Sequence, residues 1–319
     1  MTISFGKGTS EKITSDLLKQ KIIKECERLM SITIKDGIFP GSQPVTIEKK
    51  DLPVIKKKDY VLCEKTDGER GILLIINIDN KPMCFTMNRK NELLFLTFSF
   101  KKEVFEGSIF DGEIIKNKNG EWNYIIHDCM CYNGRNYVNI NHKLRYAAII
   151  DFITKRYVNK ETDCVNIKTK LFYPCCTIKK TWEHVRNTTE NEIDGLIFTP
   201  IYEPIIFGRQ NSLLKWKNVH TIDLLVKFYK DKVVLYYYKN GNKLFKSFSL
   251  ESENYILIKN YFTENKITKK DSIIEFKYSL KNEIFTPYRI RDDKDKPNGE
   301  LTVLNTLKNI KEDILIEDF

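Results

Sequence analysis

The chain is 319 residues long and carries 53 lysines and arginines against 43 aspartates and glutamates, a net charge of +10. That length accommodates two domains and a substantial core, and the basic excess favours polyanionic partners such as nucleotides or RNA. No apolar run approaches membrane-spanning length. Met1 to Ser10 lacks the apolar core of a signal peptide. Eight cysteines, Cys26, Cys63, Cys84, Cys129, Cys131, Cys164, Cys175 and Cys176, follow no regular framework and read as reduced thiols of an intracellular protein.

From Ser15 to Ile32 the apolar residues Leu17, Leu18, Ile22, Ile23, Cys26, Leu29 and Met30 recur at helical spacing and predict an amphipathic helix. Phe39 to Val45, punctuated by Pro40, Gly41 and Pro44, predicts an ordered connector. Thr46 to Lys58 is polar, and Lys56, Lys57 and Lys58 read as a solvated face. Val61, Cys63 and Lys65 then alternate, so the strand carries one ammonium out of an apolar face before Gly68 turns the chain into Ile72 to Ile76. Two readings of Lys65-Thr66-Asp67-Gly68-Glu69-Arg70 stand at this point. One is a hairpin with a solvated Lys and Arg; the other is a lysine nucleophile with Arg70 and other cations keeping its amine neutral.

Strands are predicted over Leu93 to Phe100, Ile109 to Ile115 and Trp122 to Met130. The strand period puts Asp111 and Glu113 on one face, Phe110 and Ile114 on the other. Helices follow over Leu144 to Val158 and Thr177 to Thr188, then a strand with an acid and a glycine, Ile193-Asp194-Gly195-Leu196. In Leu213-Leu214-Lys215-Trp216-Lys217 the lysines share a face while Leu214 and Trp216 point inward. Ammonium groups are seldom set in such a strand without a partner, and phosphate is one. Beyond Asp223 come short alternating strands, an Asn240-Gly241 hairpin turn and strands over Ile273 to Tyr278 and Asn282 to Tyr288. They predict a small barrel, with an OB fold leading. A charged loop from Arg289 to Gly299 and a helix over Leu304 to Ile316 complete the chain.

Taken in order, Lys65-Thr66-Asp67-Gly68-Glu69-Arg70, Asp111-Gly112-Glu113, Asp194-Gly195-Leu196-Ile197 and Leu214-Lys215-Trp216-Lys217 resemble the signature of the covalent nucleotidyltransferases, which include DNA ligases, RNA ligases and mRNA capping guanylyltransferases. Phe39-Pro40-Gly41-Ser42-Gln43-Pro44-Val45 and Arg291-Asp292-Asp293-Lys294-Asp295-Lys296-Pro297-Asn298 resemble the first and last motifs of the capping branch, in its compact fungal and chlorella virus form.

The resemblance implies an α+β fold: an ATP-grasp-like ligase (nucleotidyltransferase) domain with antiparallel sheets over 1–223, an OB-fold barrel over 224–303, and a helix over 304–319 that packs back on the first domain. It implies Lys65 as nucleophile toward GTP, with Thr66, Arg70, Arg89, Glu113 and His127 around the nucleoside, and Lys215 and Lys217 on the α-phosphate. Arg291, Asp293 and Lys294 would serve the β and γ phosphates. Glu113 and Asp194 would hold Mg²⁺ or Mn²⁺, and a 5'-diphosphate RNA would receive the GMP. His127 departs from the family, which carries an aromatic there to stack on guanine; a structural strand-edge histidine is the other reading. A free lysine titrates near roughly 10.4, so bringing its amine to neutrality takes about 4 kcal/mol of environment.

Cys129 to Arg135 has the spacing of a cysteine phosphatase loop, but Asp128 separates His127 from the cysteine. No paired zinc spacing and no methyltransferase glycine loop is present. Separate RNA triphosphatase and cap methyltransferase chains are therefore expected as partners, with the phosphorylated tail of RNA polymerase II a further one and no membrane. Capping points to the nucleus, or to the cytoplasm for a virus replicating there. Rival readings are an ATP-dependent polynucleotide ligase and a non-catalytic RNA-binding capping subunit.

Overall fold

Residues 2–35, 38–57, 59–269 and 271–319 are described by the computed structural model. The chain forms two compact units, Met1–Trp216 with Phe319, and Lys217–Asp318; sequence analysis set the division between 223 and 224. Lys58, read as part of a basic face, lies outside the described residues.

In the first unit the wholly apolar run after Gly68 is explained by burial on both sides. Leu73 and Ile75 enter one core with Phe110, Ile126, Ile149 and Phe152. Ile72, Leu74, Ile76 and Ile78 enter a second with Ile22, Cys26, Leu29 and Met30. A strand buried on both faces cannot alternate. The second core is covered by the helix Asp16–Met30, whose first turn is capped by Ser15 accepting from the Leu18 amide at 3.4 Å. It ends at Ser31 in the left-handed region, φ 56°. The strand itself, Glu69–Ile78, is central in a nine-stranded sheet between Lys81–Asn88 and Ser108–Lys116. The next strand outward is Trp122–Tyr132, which Asn166–Thr169 joins in parallel.

The lysine strand Tyr60–Thr66 belongs to a different, five-stranded sheet, between Tyr173–Pro174 and Ile193–Pro200. The hairpin reading is thus overturned. Asp67 and Gly68 carry the chain from one sheet to the other. A Cβ on Gly68 would come 2.2 Å from Ile115 Cγ2 and 2.9 Å from the Ile114 carbonyl oxygen, so glycine lets the crossing lie on its neighbour. Gly112 is tight for another reason: a Cβ there would meet the Tyr124 ring at 2.7 Å. Through that gap the buried Tyr124 hydroxyl accepts from the Leu73 amide at 3.1 Å and shares its one proton between the carbonyls of Gly71 at 2.8 Å and Phe110 at 3.0 Å.

Several elements differ from expectation. Ser42–Thr46, read as a connector, is a short strand parallel to Gly208–Lys217. The predicted helix over Leu144 to Val158 runs His142–Asp151 and then loosens into a π-helical turn, Phe152–Arg156. The strand pair Thr2–Phe5 and Gly8–Lys12 and the helix Glu253–Glu264 gave no periodicity that was recognised. All eight cysteines are free thiols. Among the described residues no helix is long and apolar enough to cross a membrane.

The second unit is a five-stranded antiparallel sheet in the order Asn242–Ser249, Lys232–Tyr238, Thr221–Phe228, Asp271–Ser279, Ile284–Ile290. Asn240 at φ 51° and Gly241 at φ 113° make the predicted turn. No ladder joins the two outer strands among the described residues, so the sheet is open, where a small barrel of OB type was expected. The helix Glu253–Glu264 contributes Ile258 and Phe262 to its core, and the helix Glu300–Glu312 contributes Val303 with Leu307 and Ile310 against it. Phe319 groups with the first unit, its ring stacked on Phe198 at 5.2 Å.

Tyr124→Phe removes a buried hydroxyl that serves Leu73, Gly71 and Phe110. The expected loss is about 1–3 kcal/mol, seen as a lower urea midpoint at unchanged slope. An unmoved midpoint would show that the hydroxyl is dispensable.

Candidate active site

Between the two sheets of the first unit lies a cleft of about 700 Å³. Strand alternation turns Lys65 toward it while Leu62 is wholly buried behind. The Lys65 side chain is 20 % exposed, and its Nζ donates to Asp194 Oδ1 at 2.7 Å. Ladder register supplies the pairing, because Gly195 stands opposite Lys65 with an irregularity between Ile193 and Gly195 that swings Asp194 inward.

The neighbours of Lys65 are fixed by a residue that sequence analysis passed over. Lys170, 3 % exposed, donates to the Glu64 carbonyl at 3.1 Å and to Thr66 Oγ1 at 2.8 Å, and lies 3.3 Å from Glu64 Oε1. An ammonium has three donors; here all three acceptors come from residues flanking the nucleophile candidate. Nothing in the sequence separates Lys170 from Lys168 beside it. Thr66 in turn donates to Glu113 Oε2.

Asp111 and Glu113 share the cleft, as the strand period predicted. Arg70 grips Asp111 through Nε at 2.9 Å and through Nη2, and its guanidinium stacks 5.0 Å from the centroid of the Phe39 ring. Gly41 permits this: a Cβ there would approach Arg70 Nη2 at 2.8 Å and Asp111 Oδ2 at 2.9 Å. The expectation that Arg70 lends unbalanced positive charge to Lys65 needs correction, because Asp111 absorbs that charge. Burial would push the Asp111 carboxyl up; Arg70, and after it His127, hold it well below the carboxylate range.

His127 lines the cleft, and its Nε2 lies 3.3 Å from Asp111 Oδ1. It sits where the ladder to Ser108–Lys116 shifts register between Ile126 and Asp128. Asp128 is held by the buried Arg145 at 2.7 and 3.1 Å. Arg89 and Lys215 also line the cleft. Lys217 follows Lys215 on the same strand but is not among the lining residues, and it groups with the second unit. Arg291, Asp293 and Lys294 also belong to the second unit, where Arg291 Nη1 and Lys294 Nζ both donate to Asp223.

A cleft-facing lysine paired with a carboxylate, with cations and acids from two sheets around it, forms the charged centre of the first unit. The family model described as mRNA capping enzyme, catalytic domain, matches residues 8–219, and that for mRNA capping enzyme, C-terminal domain, matches residues 190–319. The chain belongs to the mRNA capping enzyme family. The mRNA-capping enzyme subunit alpha of Candida glabrata is 32% identical over 207 residues, 56% of this chain and 46% of that protein. The mRNA-capping enzyme of Mus musculus is 28% identical over 310 residues, 88% and 49% of the two. That of Danio rerio is 27% identical over 342 residues, 98% and 54%. The chain spans about half the length of the curated relatives it matches. Among solved structures, mycobacterial DNA ligase D complexed with ATP and MES has a TM-score of 0.46 at 11% identity, over 82% of this chain and 97% of that one.

Asp111→Asn leaves the Arg70 guanidinium buried without its counter-charge, at an expected cost of about 3–5 kcal/mol. The folded carboxyl titrates below the unfolded value of roughly 3.9, so its contribution is complete above that pH and fades as pH falls toward the folded value. Denaturation midpoints followed from pH 6 downward should therefore decline below about pH 4 in the parent and decline less in Asp111→Asn; parallel curves would contradict the assignment.

Proposed function

We propose that the chain is an mRNA guanylyltransferase that carries GMP on Lys65. The observation that carries this reading is the Lys65 amine inside the cleft, 2.7 Å from Asp194, with both flanking residues fixed by Lys170. Lys65 gives up a proton to water and its bond to Asp194, and its lone pair forms a nitrogen–phosphorus bond to the α-phosphorus of GTP. The bond to the α–β bridging oxygen breaks and pyrophosphate leaves. In the second half a terminal oxygen of a 5'-diphosphate RNA bonds to the same phosphorus. The nitrogen–phosphorus bond breaks, the amine recovers a proton, and a GpppN end is released.

The remaining assignments follow the family pattern. Thr66, Arg70, Arg89, Glu113 and His127 surround the nucleoside, and Lys215 and Lys217 take the α-phosphate. Arg291, Asp293 and Lys294 serve the β and γ phosphates from a second unit read as an OB-type domain on its strand order and intervening helix. Preorganised cations are the main resource here, since phosphoryl transfer demands position and charge above all. Glu113 and Asp194 are hard oxygen donors in the small number that Mg²⁺ or Mn²⁺ takes beside phosphates and water, so the residues fit such an ion. When bound it supplies charge neutralisation on the phosphates. An RNA triphosphatase, a cap methyltransferase and the polymerase tail are candidate partners, and the working compartment is the nucleus, or the cytoplasm in a virus that replicates there.

Incubation with α-labelled GTP and a divalent ion should leave acid-stable label on the protein. Lys65→Ala should abolish the label at unchanged melting temperature. Lys65→Arg should also be inactive, because guanidinium stays protonated. Labelling by ATP in place of GTP would indicate a ligase, absence of both a binding subunit, and label surviving in Lys65→Ala the wrong nucleophile.

A further inference from the structure

Within the second unit, two carboxylates stand side by side where like charges should repel. Asp223 on Thr221–Phe228 is the register partner of Glu275 on Asp271–Ser279, and both are buried, at 6 % and 7 % exposure. Cations resolve the conflict. Arg291 Nη1 lies 3.2 Å from both Asp223 oxygens and 3.5 Å from Glu275 Oε2, and Lys294 also donates to Asp223. Arg289 Nε holds the same Glu275 oxygen at 2.7 Å. Arg291 is completed by a two-pronged bond to Asp293 at 2.9 and 2.8 Å. Asp223 also secures the far end of this loop: its amide donates to Asn298 Oδ1 at 3.0 Å, its carbonyl accepts from the Asn298 amide at 2.8 Å, and its carboxylate accepts from Asn298 Nδ2 at 3.2 Å.

We propose that Asp223 is a positioning residue for the first half-reaction, setting the guanidinium of Arg291 and the ammonium of Lys294 in one fixed arrangement before a triphosphate arrives. The inference rests on the reading that Arg291 and Lys294 serve the leaving pyrophosphate. Its physical basis is preorganisation: an arginine and a lysine on a free loop would have to be ordered during the reaction, whereas a buried carboxylate orders them beforehand. Asp223 touches no substrate. Its effect is confined to steps in which pyrophosphate is made or consumed.

The test uses the full chain and separates the half-reactions. Asp223→Asn preserves shape and an oxygen for Asn298 while removing the charge. Labelling by α-labelled GTP and release of label by pyrophosphate should each slow about 10-fold or more. Transfer of GMP from the preformed intermediate to diphosphate-ended RNA should stay within about 2-fold of the parent, since no pyrophosphate takes part. In an Arg291→Ala, Lys294→Ala background, Asp223→Asn should add nothing. Asp223→Glu, which keeps the charge, is measured alongside with melting temperatures. It should fall between parent and Asp223→Asn in labelling, and it replaces Asp223→Asn if that variant does not fold. Equal slowing of both half-reactions, an additive loss in the double-alanine background, or faster labelling would overturn the proposal. Failure of the parent to label with GTP would instead remove the functional reading beneath it.

Discussion

A guanidinium buried against one carboxylate, Arg70 on Asp111, holds the floor of the cleft together. Each partner lies on a central strand of the nine-stranded sheet, and the loop before Ser42–Thr46 presses Phe39 and Gly41 onto the pair. Removing two charges from water is costly, and the cost is offset only when both are fully met. Here the guanidinium is met by two bonds and an aromatic face, and the carboxylate by Arg70 and His127. The arrangement has one geometry, and His127, Glu113 and the Lys65 strand take their places relative to it.

The same economy runs through the rest of the cleft. Glu64 is matched by Lys170, Asp128 by Arg145, Glu113 by the Thr66 hydroxyl and Glu92 by Lys12. A cleft lined by so many carboxylates would repel a polyphosphate were they uncompensated. Pairing Glu64, Asp111, Asp128 and Glu92 with local cations offsets part of that repulsion while keeping hydrogen-bonded walls.

Much of this was legible in the sequence, for reasons that differ from residue to residue. The cleft-facing acids were readable because strand period two leaves Asp111 and Glu113 no choice of face once Phe110 is buried. Leu214 and Trp216 were readable in the same way. Lys170 was not, since its role depends on a contact across 104 residues with Thr66 and Lys168, two positions before it, looks the same in the sequence. Ser42–Thr46 was hidden by Pro44, which reads as a loop until an edge-strand setting makes it tolerable. The small barrel was legible only as its strands: alternation specifies strands and their faces but not whether the last strand returns to pair with the first.

Two residues, Asp67 and Gly68, separate the Lys65 strand from the most deeply buried strand of the unit, and the two strands belong to different sheets. Any sliding of one sheet over the other must therefore be transmitted to Lys65 almost undiminished, with no slack segment to absorb it. The cleft floor and the strand that carries the amine are therefore coupled as one mechanical piece.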